Sequence, residues 1–179
     1  MYQEEQDKQG TLIFAKLHKN MNKKIKETIN FPKFKPKSIN FTYRDENGKV
    51  VKKNVYKMNV FTDVAIISLL ERMAGQSKGA ITFLALGDDD TAATTSDTAL
   101  VNEVYRHAVS NATVVADVLT ISTFIPSTEG NDTYLEMALY GDDATAAADS
   151  GTMFTRLIIN ETKTYGQSLT IDYEITVPA

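Results

Sequence analysis

From Gly79 onward, short runs rich in Val, Ile, Leu, Tyr and Thr recur at fairly regular intervals, separated by loops of Gly, Asp, Ser, Thr and Ala. Runs of this length are too short for independent strands and must pair side by side to bury an apolar face. The runs fall at residues 81–86, 101–109, 114–124, 134–140, 153–159 and 168–177. Residues 114–124 and 168–177 alternate most cleanly, and Leu169, Ile171, Tyr173, Ile175 and Val177 share one face. Six such strands with turn-forming punctuation predict an antiparallel β-sandwich over 79–179, with long connections that let strands cross between sheets. A hydrophobic fraction of 42% supplies enough apolar side chain for one folded interior. The passage from Ala85 to Ala93 echoes that from Ala138 to Ala147: an apolar strand end runs into an acidic, Thr/Ala-rich loop. Similar connections between strands account for the echo more simply than duplication.

The first third reads differently. Residues 1–10 are polar and lack the apolar stretch of a secretory leader. Residues 11–29 are ambiguous, strand-like at first and then resembling a lysine-rich surface helix. Prolines 32 and 36 enforce an extended connector. Ile39, Phe41 and Tyr43 alternate with polar residues, and the following Asp45, Glu46, Asn47 and Gly48 predict a tight turn, with a return strand over 49–60. Thr62 or Asp63 caps a helix whose Val64, Ile67, Leu69, Leu70 and Met73 follow helical spacing, and Gly75 stops it. That helix is apolar nearly all round for two turns, which predicts burial. The expected organisation is a basic arm (1–37), a hairpin and short buried helix (38–78) and the sandwich (79–179). The fold class is mainly β, with an N-terminal extension.

Charge is divided along the chain. Residues 1–60 carry a net +8 and residues 61–179 a net −12, which together give −4. A lysine-rich arm can lie on an acidic neighbour. Docking is therefore expected to involve Phe31, Lys33, Phe34, Lys35, Lys37, Phe41 and Tyr43. Nucleic-acid binding by the basic segment is a weaker expectation, since no helix-turn-helix, aromatic-basic or zinc-finger pattern accompanies it. No apolar run approaches a membrane span.

The residue inventory narrows the chemistry. Without cysteine there is no disulfide, thiolate metal site or thiol nucleophile. The two histidines, His18 and His107, give a histidine-based triad few ways to form and are read as surface or edge residues. No phosphate loop or HExxH motif occurs. Asp88, Asp89, Asp90, Asp142 and Asp143 offer oxygen ligands of the kind calcium prefers, but the ordered loop pattern is missing, so they are expected to be solubilising tips. No cofactor, metal, small-molecule substrate or enzymatic activity is expected.

Over residues 81–177 the chain resembles the phage tail-collar-fibre family. The blocks that carry the likeness are Ala85-Leu86-Gly87, the stretch from Asp97 to Arg106 (Asp-Thr-Ala-Leu-Val-Asn-Glu-Val-Tyr-Arg), Tyr134 to Tyr140, Gly151 to Arg156, and the closing strand from Gly166. Ala138 stands where the family usually has Gly, and Tyr173 where Trp is common. The resemblance implies a virion structural protein of the tail, neck, baseplate or head decoration, working by self-assembly as a homo-oligomer and by docking to other virion proteins. With two residues after Val177, an attachment module is expected rather than an adhesin tip. A carbohydrate- or cell-surface-binding module, calcium-assisted or not, is the alternative. Glu103, Arg106, Glu136 and Arg156 are the charges singled out as a structural motif. Glu103 and Arg106, three apart, face opposite sides of a regular strand, so their pairing requires a bulge or a helical turn.

Overall fold

A computed structural model describes residues 35–57 and 60–176. Its elements in chain order are β1 (Lys35–Arg44), β2 (Val50–Tyr56), β3 (Val60–Phe61), α1 (Asp63–Met73), β4 (Ile81–Gly87), β5 (Glu103–Ala108), β6 (Asn111–Val115), β7 (Val118–Ile125), β8 (Thr133–Gly141), β9 (Thr152–Thr162) and β10 (Ser168–Thr176). They form two antiparallel five-stranded sheets, ordered β2-β1-β10-β7-β6 and β3-β9-β8-β4-β5. One apolar core draws on both: Ile39, Phe41 and Tyr43 of β1, Ile121 and Ile125 of β7, and Leu169, Ile171 and Tyr173 of β10 meet Leu84 and Leu86 of β4 and Met137 and Leu139 of β8. The mainly-β sandwich expected from the punctuated runs is the observed architecture.

The predicted hairpin forms, but it belongs to the sandwich. At its turn Gly48 N–H donates to the Asp45 carbonyl (2.9 Å), and Asp45 Oδ1 accepts from the amides of Asn47 and Lys49 at 3.0 and 2.9 Å. Gly48 sits at φ 77°, the left-handed region where glycine carries no steric penalty. β1 then pairs with β10 along its whole length, from Lys35 opposite Thr176 to Arg44 opposite Ser168. The boundary expected at residue 79 therefore does not separate an extension from a core. The reason is topological: the closing strand needs a neighbour on its open side, and β1 supplies one that sequence distance conceals.

Two other expectations change. Residues 114–124 form two strands, β6 and β7, joined at Ala116 and Asp117, with Val115 opposite Val118. Ala116 adopts φ 53°, so this turn carries no glycine signal. The helix is present and capped as predicted: Thr62 Oγ1 accepts from Ala65 N–H at 3.2 Å and donates to the Met153 carbonyl. It is not buried, however. Ala65 and Ser68 turn inward, while Ile66, Ile67, Leu70 and Met73 are exposed. Only this narrow face is turned to the sandwich, with Leu69 and Arg72 lining a cavity between the sheets, so the rest of the helix surface stays open.

Strands β8 and β9 are buried on both faces. Met137 and Leu139 enter the main core, whereas Ala138, Tyr140 and Met153 form a second apolar cluster with Ala85 and Leu100. The covering comes from the connections after β4 and after β8, and these position the charged motif.

Candidate functional site

Glu136 and Arg156 lie on adjacent strands in a register that sets Ala138 opposite Arg156. Both side chains are fully buried, and Arg156 Nε donates to Glu136 Oε2 at 2.8 Å. The remaining capacity of each is used by the covering loop. Arg156 Nη1 donates to Asp97 Oδ2 and Nη2 to the Thr91 carbonyl, each at 2.8 Å. Glu136 Oε1 accepts from Asn102 N–H at 2.9 Å and Oε2 from Val101 N–H at 3.2 Å. A carboxylate removed from water needs donors of this kind, and here two are backbone amides of the loop it retains. Burial works against charge on Arg156, but its bonds to Asp97 and Glu136 outweigh that and hold its proton more firmly than usual.

Glu103 and Arg106 also pair, through Nε to Oε1 at 2.6 Å and Nη2 to Oε2 at 2.7 Å. The bulge their spacing requires is present: Leu86 faces Tyr105 while Gly87 faces Glu103, leaving Val104 extra. The Arg106 guanidinium lies 4.2 Å over the Tyr140 ring and donates to the Ser150 carbonyl at 2.9 Å. Glu103 Oε2 accepts from Asp149 N–H at 3.1 Å. Thus one pair anchors the loop before β5 and the other the loop before β9. Burial pushes the Tyr140 phenol up to about 12, and its oxygen accepts from Leu100 N–H at 3.1 Å.

Gly87 explains itself at this site. A Cβ there would stand 2.5 Å from the Asn102 carbonyl oxygen and 2.6 Å from Glu136 Cγ. Its φ is not left-handed, so the requirement is space alone. Gly87→Ala is expected to cost about 1–3 kcal/mol, the usual range for overpacking a filled interior. Denaturant titration measures it; an unchanged midpoint contradicts the close approach.

A second carboxylate, not identified from the sequence, links the sheets. Glu161 of β9 is fully buried and accepts from Tyr43 Oη (2.7 Å), Lys52 Nζ (2.8 Å), Asn54 Nδ2 (2.6 Å) and Tyr56 Oη (2.9 Å). Burial pulls its pKa upward, but these four donors outweigh that and hold it below the ordinary carboxylate range. Its partners lie more than 100 positions away in the chain, so no local pattern announces it. Nearby, buried Lys163 donates to the Glu129 carbonyl and Asn131 Oδ1 at 2.7 and 2.8 Å, fixing the loop before β8.

The residues expected to dock divide three ways. Phe31, Lys33 and Phe34 lie outside the described residues, as does the side chain of Lys35. Lys37 is exposed, 3.9 Å from Glu174. Phe41 and Tyr43 are core residues and present no docking surface. Among the acidic loop residues, Asp142 is not a free tip: it is paired with Arg72 at 2.7 Å and accepts from Ser68 Oγ at 2.8 Å, tying α1 to the end of β8. No group of three or more His, Asp or Glu suited to a metal ion occurs among the described residues, and no described helix is long and apolar enough to cross a membrane.

The class that fold and site define is a mainly-β sandwich whose buried ion pairs fasten its own loops. A family model described as phage tail-collar fibre protein, N-terminal, matches residues 55–176. The chain belongs to that family and is a structural protein of a phage tail. No curated protein and no solved structure gives a match.

Proposed function

We propose that this protein is a non-enzymatic attachment module, joined to another tail protein through α1. The supporting observation is the apolar stripe Ile66, Ile67, Leu70 and Met73, which is 41%, 53%, 51% and 85% exposed. The i, i+4, i+7 spacing of Ile66, Leu70 and Met73 puts these side chains on one helix face, the pattern by which a helix seats in an apolar groove. These side chains turn away from the sandwich, which takes Ala65 and Ser68 instead, so covering the stripe is assigned to a partner. Family membership supports a partner among the other virion components and a place of work in the virion. The basic segment of residues 1–37 is a second arm of the same reading, steering the module onto an acidic neighbour.

The test introduces Ile67→Asp and Leu70→Asp together and follows incorporation into assembled tails. Both sites are exposed, so the melting temperature should stay within about 2 °C of wild type. Incorporation should fall at least tenfold. Normal incorporation of the folded variant overturns the assignment to α1. Deleting residues 1–34, which leaves every described strand in place, should preserve cooperative unfolding and make incorporation strongly salt-sensitive.

A further inference from the structure

Among the described residues the two sheets present four edges, and three carry devices that prevent another strand from adding. β2 bears Lys52 and Lys53. β3 is two residues long. β5 has its bulge at Val104 and the charged pair Glu103–Arg106. β6 has none of these. Its residues Asn111, Ala112, Thr113, Val114 and Val115 include no charge and no proline, and its pairing with β7 is unbroken. All five are exposed, Val114 and Val115 at 70% and 72%.

Beside this edge the sandwich is open. A cavity of about 240 Å³ lies between the sheets, lined by Ala112, Leu119 and Ile175 on one side and by Phe61, Ile81 and Leu69 on the other. Ala112 and Val114 stand opposite Ile121 and Leu119, so they share the inward face. Val114 is nonetheless largely bare. An added strand would satisfy the free backbone groups of β6 and set alternate side chains at the cavity mouth.

We propose that β6 is a self-pairing edge, joined antiparallel to β6 of a second copy about a twofold axis. The edge is suited to itself in two respects. Being uncharged, it meets its own image without repulsion, whereas β2 would bring lysines together. In a register centred on Thr113, small Ala112 faces the partner's larger Val114, and both inward positions are covered twice over by symmetry. The outcome is a continuous ten-stranded sheet. The residues of this edge are not those of the α1 stripe, and the inference stands without the docking role proposed for that helix.

The experiment measures the mass of the full chain by light scattering, for wild type, Thr113→Lys, Thr113→Glu and an equimolar mixture of the two variants. Paired centrally, residue 113 faces its own copy at about 4.5–5.5 Å, where like charges repel and opposite charges attract. The wild-type mass is expected to be an even multiple of one chain, to halve in each variant and to be recovered in the mixture. Melting temperatures should remain within about 2 °C, since the site is exposed. An odd multiple, a mass unchanged by Thr113→Lys, or a mixture that stays dissociated overturns the proposal. Ile67→Asp alone should leave the mass at its wild-type value, which separates this edge from helix docking; a loss there with none at Thr113 also overturns it. If an unrelated strand were the true occupant of β6, the charge-swapped mixture would not regain mass.

Discussion

Arg156→Met is expected to lower the unfolding free energy by about 3–5 kcal/mol, the typical penalty for leaving one member of a buried ion pair behind. The stranded group is Glu136, fully buried on the neighbouring strand and left with only the two amides of Val101 and Asn102. Asp97 loses one of its donors and the Thr91 carbonyl loses Arg156 in the same step, so the 88–102 connection should loosen over Tyr140. Proteolysis or amide exchange in that connection reports the loosening separately from global stability. The double variant Glu136→Met/Arg156→Met should recover more than half of the loss, because hydrophobic replacement of both partners removes the unpaired charge. A single variant costing under about 1 kcal/mol would mean that the pair is solvated.

Glu161→Gln is expected to cost about 2–3 kcal/mol at neutral pH, the range of a hydrogen bond to a charged group that is lost in the interior. Gln keeps the shape but surrenders the attraction to Lys52 and places an amide donor among four existing donors. The pH dependence follows from the direction of the shift. Glu161 titrates lower in the folded chain than in the unfolded one, so its contribution is fully present above the unfolded value, about 4.3. It is lost as pH falls through the lower folded value. The wild type should therefore lose stability more steeply than the Gln variant below about pH 4.5, and the two denaturation midpoints should converge in acid. Asp97 also titrates low in the folded chain, despite the opposing effect of burial, because Thr94 and Arg156 bond to it. The wild-type curve carries that term too, and the difference between the two proteins isolates Glu161. Parallel curves down to pH 2 contradict this account.

Glu103, Arg106, Glu136 and Arg156 could be picked out beforehand because charges inside apolar β-runs are conspicuous. Their partners were legible only in part. The bulge that lets Glu103 meet Arg106 was a stated requirement of their spacing, but Gly87 opposite Glu103 is what completes it. The Glu161 cluster lacked even that much. A glutamate near the polar end of β9 looks like any solvated strand terminus until β1 and β2 are brought over it. The misread helix has the same cause: an all-apolar pattern predicts burial, but whether a face is covered depends on what else is already packed there.

Local chemistry in the sequence was enough to determine the mainly-β class, the turn at Asp45 to Gly48, the start of α1 at Thr62 and most strand positions. Alternation, left-handed turn residues and side-chain capping all act within a few residues, so they can be read in one dimension. The tertiary structure alone decided that β1 closes the first sheet, that Phe41 and Tyr43 are core residues, and that residues 111–125 fold back on themselves at Ala116. It also decided which carboxylates are buried and which apolar side chains stay exposed. These outcomes depend on contacts between residues far apart in the chain, whose energies come from desolvation and packing and have no counterpart in local sequence.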